Sequence, residues 1–398
     1  MRKDWEYKKL KDICSFVGDG DWIESKDQSN AGLRLIQTGN IGNGIFHDKA
    51  EKAKYISEST FIELSCTEIF HGDCLLSRLP DPIGRSCILP QLNERAITAV
   101  DCTILRFTNK IYPTFFVYYT LSTPYAISII SKTTGSTRKR ISRKNLEGIL
   151  IPIPPKPTQL AIVAELDKIN ELIQLKKQQL KDYDQLAQSI FYEMFGDPVE
   201  NEKGWEVKKL GDICEVTSAK RVFIEEVVDS GVPFIRGTEL TALNRLTRGE
   251  KMEYSLFITK EHYERLKAIT GVPKYGDLLI PSINSEGIAW IVNTEEPLYF
   301  KDGRVLWVHV NQDVFKSECL QKIMNILLKH TYKSMGGATF SELKLFVLRE
   351  LKVPIPPIES QQQFAARIEA IERQKQQVSE TIKDLETLLA SRMQYWFD

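Results

Sequence analysis

The sequence predicts an α+β protein in which two mixed α/β heads, related by pseudo-two-fold symmetry, are separated by two long antiparallel coiled-coil helices. Three observations predict it. A heptad stripe occurs twice, a pair of short motifs brackets each head, and the head segments carry short apolar runs punctuated by Gly, Pro, Asn and Asp.

The stripe steps 4-3-4-3 through Ile162, Leu166, Ile169, Ile173, Lys176, Leu180, Tyr183, Ala187, Ile190 and Met194. It returns 202 residues later as Phe364, Ile368, Ile371, Lys375, Val378, Ile382, Leu385, Leu389, Arg392 and Trp396, with a lysine on the same rung. Such spacing puts one apolar face along a helix and suits a coiled-coil seam. The predicted helices run over 158–195 and 360–397, each about 57 Å long at about 1.5 Å per residue. Thr158, and Ser360 with Gln363 at capping-box spacing, are the expected N-caps. Gly196-Asp197-Pro198 closes the first helix. Because water penalises both stripes, the second helix is expected to fold back along the first; the competing reading lays each helix on the core of its own head.

The bracketing motifs are equally regular. Trp5-Glu6-Tyr7-Lys8-Lys9-Leu10-Lys11-Asp12-Ile13-Cys14 returns as Trp205-Glu206-Val207-Lys208-Lys209-Leu210-Gly211-Asp212-Ile213-Cys214. Ile151-Pro152-Ile153-Pro154-Pro155 returns as Val353-Pro354-Ile355-Pro356-Pro357, an extended stretch that stops structure running into the helix. The chain therefore divides into a first head at 1–155, a first helix at 156–197, a second head at 198–357 and a second helix at 358–398.

Within the first head, 33–36, 74–77, 86–89 and 96–107 are expected as strands, and 114–121 and 125–132 as short helices. In the second, 233–236, 277–281, 288–293 and 304–310 are expected as strands, and 260–268 and 314–330 as helices. The pattern leaves the strand order open.

Composition is that of a soluble globular protein: 42% hydrophobic and 27% charged in 398 residues, with formal net charge zero. The charged N-terminal stretch and the absence of a membrane-length apolar run point to the cytoplasm. The seven cysteines include no C-x-x-C pair, and the five histidines stand in no metal-ligand spacing, so they are expected to be structural and no metal is expected. Charge is uneven: +4 over 1–155, −2 over 156–197, 0 over 198–357 and −2 over 358–398, which suits different regions meeting different partners.

Motifs for catalysis are missing. There is no phosphate-cradling G-x-x-x-x-G-K-[ST] loop, no G-x-G-x-x-G after a strand and no G-x-S-x-G elbow. Neither Pro-Pro pair is followed by an aromatic residue, as an adenine methyltransferase motif requires. The chain is expected to bind rather than to catalyse.

The strongest binding signal is the run from Lys132 to Lys144, which carries six positive charges and no acid. Ser136, Thr137, Arg138, Lys139, Arg140 and Arg143 suit phosphate oxygens, with one arginine free for a guanine edge. A solvated basic loop is the plain alternative. The matching run of the second head keeps Lys333, Thr339 and Lys344 but loses most of the charge. Further polar candidates follow the predicted strands: Gln37, Thr38, Asn40, Asn43, Arg78 and Arg85, then Arg236, Thr238, Ser282 and Asn284. Asn and Gln suit adenine and Arg suits guanine, although ordinary turn residues share this composition. The aromatics Phe191, Tyr192, Met194 and Phe195, and Tyr395, Trp396 and Phe397, suit either a partner subunit or a neighbouring head.

Two divergent segments of about 150 residues, each opened by W-E-x-K-K-L-x-D-I-C and closed by a Gly-Ser/Ala-Thr loop, an I/V-P-I-P-P run and a long helix, resemble the specificity subunit of a type I restriction-modification system. The resemblance covers the whole chain. It implies that 1–155 and 198–357 are target recognition domains, each reading one half of a bipartite DNA site. The helices would be conserved spacers that set the gap and dock two methyltransferase (modification) subunits. Methylation and cleavage would reside on partner chains, including restriction/translocase subunits, so the chain is expected to be no enzyme. S-adenosylmethionine, ATP and magnesium are expected on those partners, and no cofactor on this chain. A protein–protein scaffold with two adaptor heads on a coiled coil is the competing reading.

Overall fold

The computed structural model describes residues 5–135, 139–246, 252–284, 286–334 and 342–398. The chain forms two compact units, one of residues 1–174 with 383–398 and the other of residues 175–382. Each unit thus holds one head together with a piece of both long helices. The fold is α+β, as the sequence predicts.

In the first unit, Glu6–Lys9 pairs antiparallel with Leu150–Ile153, Tyr7 opposite Pro152 and Lys8 opposite Ile151. In the second, Glu206–Lys209 pairs with Lys352–Ile355 in the same register, Val207 opposite Pro354. The two repeated landmarks are therefore one structure, a two-stranded clasp that closes each head where the chain enters and leaves it. Prolines are tolerated there because a two-stranded ribbon has free edges.

Each head carries a four-stranded antiparallel sheet of the same order. The first is Cys14–Asp19, Cys102–Phe107, Cys74–Ser77, Ser86–Ile88, and the second is Glu215–Ser218, Val305–His309, Leu278–Pro281, Trp290–Ile291. Beside it lies a second sheet in which one parallel pair occurs among antiparallel ones. That pair is Leu33–Ile36 with Ala96–Thr98 in the first head and Val232–Ile235 with Tyr299–Phe300 in the second. The expected strand over 96–107 is split by a turn at 99–101, since the chain leaves one sheet and joins the other. The short helices form at Pro113–Thr120 and Thr123–Ser131, and at Lys260–Thr270 and Ser317–Ser334.

The long helices are Lys156–Phe195 and Ile358–Phe397, each beginning two residues before the predicted start. The capping expectation is corrected. The carbonyls of Pro155 and Pro357 accept the first helical N–H bonds, from Gln159 and Gln361, so Thr158 and Ser360 sit inside the first turn. Proline takes the cap position because its fixed φ suits it and it has no N–H to leave unpaired.

Every seam residue is buried or half-buried. In the second unit the helices run antiparallel: Lys375 pairs with Asp184 at 2.9 Å, while Phe364 packs against Phe191 and Phe195 with ring centroids 5.7 and 5.3 Å apart. Lys375 also bonds Glu372 at 3.0 Å, so the polar rung is paired rather than stranded, and Lys176 bonds Gln179. In the first unit Glu165 meets Arg392 and accepts from Trp396 Nε1 at 2.9 Å. The helices also enter the head cores. Ile162, Leu166 and Phe397 join Phe115 and Phe116 in one core, and Phe191, Phe195 and Phe364 join Leu320 and Met324 in the other. Each such apolar side chain contributes about 1.5–3 kcal/mol by burial.

A feature absent from the sequence reading fastens helix to head. Gln159 and Gln361 are fully buried at equivalent positions in the first helical turns. Gln159 Nε2 donates to the carbonyls of Lys110 and Pro154, and its Oε1 accepts from Tyr112 N at 2.9 Å. Gln361 does the same with Val314, Pro356 and Lys316 N.

The terminal aromatics divide. Phe191, Phe195 and Phe397 are buried, Phe397 against Phe115 and Tyr119, whereas Tyr192 and Tyr395 face solvent. The six cysteines other than half-buried Cys14 are buried thiols. Among the described residues no helix is long and apolar enough to cross a membrane, and no group of three or more His, Cys, Asp or Glu is placed to hold a metal.

Candidate nucleic-acid interface

At one end of the first head's sheets, several loops meet. Gly20 N and Asp21 N donate to Cys102 O and Thr98 O, Ala99 N to Ile36 O, Arg78 N to Asp101 O, and Ile141 N to Arg78 O. The segments 19–22, 37–41, 78–85, 99–101 and 139–143 are therefore neighbours. The polar candidates of the first head lie on these segments, except Asn43, which is exposed just beyond them, and Ser136, Thr137 and Arg138, which lie outside the described residues, as does Thr339 of the second head.

Burial separates the candidates. Gln37, Lys139 and Arg143 are exposed, and Thr38 and Arg140 half-exposed. Arg140 pairs with Asp101 at 2.9 Å, and Arg143 with Glu147 at 3.3 Å, with Asp19 3.9 Å away. Asn40 is buried, accepting from Gln37 N and donating to His47 O at 2.9 Å, so it shapes the turn that presents Gln37.

The two strand-end arginines are not free surface groups. Arg85 is buried, and its guanidinium donates to the carbonyls of Thr38, Ile41, Leu79 and Pro82. Arg78 is buried beside Asp19 at 3.4 Å and donates to Val100 O. The geometry makes both scaffolds of the loop cluster, a distinction that residue type alone does not carry because guanidinium serves phosphate and carbonyl equally.

The second head repeats the arrangement with other residues. Lys301 N donates to Ile235 O, Ser282 N to Arg304 O and Leu343 N to Ser282 O, so Lys301 corresponds to Ala99, Arg304 to Asp101 and Ser282 to Arg78. Ser282 and Asn284 are buried. Asn284 closes its own turn by bonding both N–H and carbonyl of Ile288, and so belongs to the framework. Arg236, Thr238, Lys333 and Lys344 are exposed.

Arg236 is tied to Glu239, its Nε donating to Oε2 at 3.1 Å and its Nη2 to Oε1. Burial pushes the Glu239 carboxyl up, but the Arg236 guanidinium and the Thr238 hydroxyl outweigh it and bring the group down to about 2. A carboxyl depressed from the ordinary value of about 4.3 adds stability that is fully present above that value and lost as pH falls through the folded pKa. Glu239→Gln is expected to lose less protection than wild type at the Arg236 and Leu240 amides when hydrogen-exchange protection factors are compared at pH 5 and near pH 2, and equal losses would contradict the assignment. A second buried carboxylate differs between heads. Asp73 is held by Arg106 at 2.9 Å, whereas Asp277, at the equivalent place, meets His309 at 3.1 Å and accepts from Trp307 Nε1.

The most informative contrast is a pair of reversed sign. Arg140 on the loop strand faces Asp101 on the turn in the first head, and Glu342 faces Arg304, 3.6 Å apart, at the same two places in the second. Lys344 also pairs with Glu342, at 2.5 Å. The acid that weakens the second loop is thus matched by a base on the opposite turn.

Known proteins bear on this site. The family model for the type I restriction modification DNA specificity domain matches twice, over residues 2–182 and 202–387. The chain is 21% identical over 420 residues to the type I restriction enzyme MjaVIII specificity subunit of Methanocaldococcus jannaschii, covering 97% of this chain and 92% of that protein. It is 26% identical over 412 residues to the MjaIX specificity subunit of the same organism, covering 93% and 87%. Among solved structures, the fold is similar to a chain of a type I R-M system described for its complex assembly, with TM-score 0.61, 17% identity and coverage of 100% and 98%. It is also similar to the type I restriction-modification S subunit from M. genitalium, with TM-score 0.51, 15% identity and coverage of 98% and 95%. With both repeats matched and nearly the whole length accounted for, the chain belongs to the type I restriction-modification specificity subunits, a family whose general role is DNA recognition.

Proposed function

We propose that this chain is the non-catalytic, sequence-reading subunit of a type I complex, in which each head reads one half of a bipartite site on double-stranded DNA. The observation that carries this reading is the pair of heads with one topology and one clasp but different residues at equivalent loop positions. A shared frame with different contents is what reading two unlike half-sites requires. Exposed Gln37, Lys139, Arg143, Arg236, Thr238, Lys333 and Lys344, with half-exposed Thr38 and Arg140, are the proposed contacts. Amides and hydroxyls suit base edges, and the cations suit phosphates. Ser136, Thr137, Arg138 and Thr339 belong to the same proposal by sequence.

The long helices are proposed to set the gap between half-sites and to dock two methyltransferase subunits, which carry S-adenosylmethionine; ATP and magnesium belong with the restriction/translocase subunits. The proposed setting is the cytoplasm, where chromosomal DNA is accessible. Methylome sequencing of cells carrying the chain with its methyltransferase subunits tests the reading. Four residues inserted near Lys176 add about 6 Å of helix, or about two base pairs at about 3.4 Å each. The expected result is a longer gap between unchanged half-sites. Altered half-sites with an unchanged gap would overturn the ruler, and no methylated bipartite motif at all would favour the scaffold reading.

A further inference from the structure

The second head lacks the basic loop of the first, yet its loop end is not short of cations. Three positions that carry no positive charge in the first head are basic in the second. Lys301 replaces Ala99 and Arg304 replaces Asp101, as the shared hydrogen bonds establish. Arg221 replaces Trp22, an alignment fixed by the turns in which Glu24 N donates to Asp27 and Phe223 N donates to Glu226. Conversely Arg78, Arg140 and Arg143 give way to Ser282, Glu342 and Leu345. The positive charge has moved across the loop end, from the glycine loop to the facing turn.

These three cations line one open groove of about 520 Å³, together with Phe223, Ile224 and the acids Glu225 and Asp302. Arg221, Lys301 and Arg304 are all exposed. Arg221 and Lys301 have no ion-pair partner among the described residues, and Arg304 is held only loosely, 3.6 Å from Glu342. Arg221 lies over the Phe223 ring with 5.1 Å to the centroid, and Phe223 and Ile224 are 55% and 83% exposed, so an apolar tip stands beside the cations. Lys301 directly follows the strand neighbouring Ile235, which leads into Arg236, so the groove is continuous with the proposed contacts of this head.

We propose that this groove is the phosphate-binding subsite of the second head: Arg221, Lys301 and Arg304 engage the backbone of duplex DNA, and Phe223 and Ile224 pack on the sugar and base edges beside it. The inference rests on the DNA-recognition reading and adds backbone contacts to those proposed for Lys333 and Lys344. Unpaired exposed cations are the groups that release counterions when they meet phosphate, and each such contact steepens the salt dependence by about 0.9 in log K against log salt.

The test is binding of the full chain to a random-sequence 40-base-pair duplex, followed by fluorescence anisotropy over a range of salt concentrations. The triple variant Arg221→Gln, Lys301→Gln, Arg304→Gln is expected to bind more weakly, with a slope shallower by about 2.7. A control variant, Lys260→Gln with Lys267→Gln, removes exposed cations of the Lys260–Thr270 helix and is expected to leave the slope unchanged. The substituted side chains are on the surface, and matching thermal melts identify folded variants. If wild type binds and the triple variant keeps its slope, or if the control lowers the slope as much per charge, the groove proposal is overturned while the DNA reading stands. If wild type binds no duplex at any salt concentration, the DNA reading falls and the groove proposal falls with it.

Discussion

Gln361→Leu is expected to destabilise the second unit by about 3–5 kcal/mol, and Gln159→Leu to do the same to the first. Leucine fills nearly the same volume, so the cost is not a cavity. It comes from three backbone groups that lose the partner supplied by a fully buried side chain. In the second unit these are Lys316 N–H and the carbonyls of Val314 and Pro356, and in the first Tyr112 N–H and the carbonyls of Lys110 and Pro154. A fully buried orphan costs about 1–3 kcal/mol, and the groups that are only part-buried keep the sum well below the arithmetic maximum. Because the chain has two compact units, one denaturation midpoint does not describe it, and hydrogen exchange at the named amides is the appropriate readout. Faster exchange confined to the unit carrying the substitution is expected. A change below about 1 kcal/mol at those amides would show that the glutamines are dispensable.

Arg85→Met is expected to cost about 3 kcal/mol and to loosen the loop cluster before it affects the rest of the first head. One guanidinium gathers carbonyls from two loops, Thr38 and Ile41 on one and Leu79 and Pro82 on the other, and methionine returns nothing to them. Arg85→Lys is expected to rescue little, because an ammonium on a flexible stem cannot reproduce donors fixed in a planar fork. Thermal melts with exchange at residues 38–41 and 79–82 would check both variants. Weakened DNA binding with normal exchange in Arg85→Met would remove Arg85 from the scaffold and return it to the candidate contacts.

Comparison of Arg85 with Arg143 shows where sequence reasoning stops. Arg85 stands beside a predicted strand and Arg143 in the basic run from Lys132 to Lys144, and both have the chemistry for phosphate. Only the neighbouring carbonyls, brought from 38–41 and 79–82 by sheet pairing, decide that one is a scaffold and the other an exposed cation. Gln159 and Gln361 were missed for a related reason. A glutamine in the first turn of a long polar helix is unremarkable by itself, although its recurrence at the same rung of both repeats was a usable signal. The groove of Arg221, Lys301 and Arg304 gives no sequence signal at all, because its cations come from segments about 80 residues apart and are scattered among acids.

The amino-acid sequence alone determined the duplicated architecture, the span and seam of the two helices, and the clasp motifs that bracket each head. These rest on local periodicity and on proline geometry, which act over a few residues and repeat visibly along the chain. Tertiary structure decided which polar residues are buried, which cations are paired, and that the positive charge of the second head had crossed to the opposite turn. Those outcomes depend on carbonyls, carboxylates and strands supplied from distant parts of the chain, and a side chain's role is set by the partners that folding brings to it.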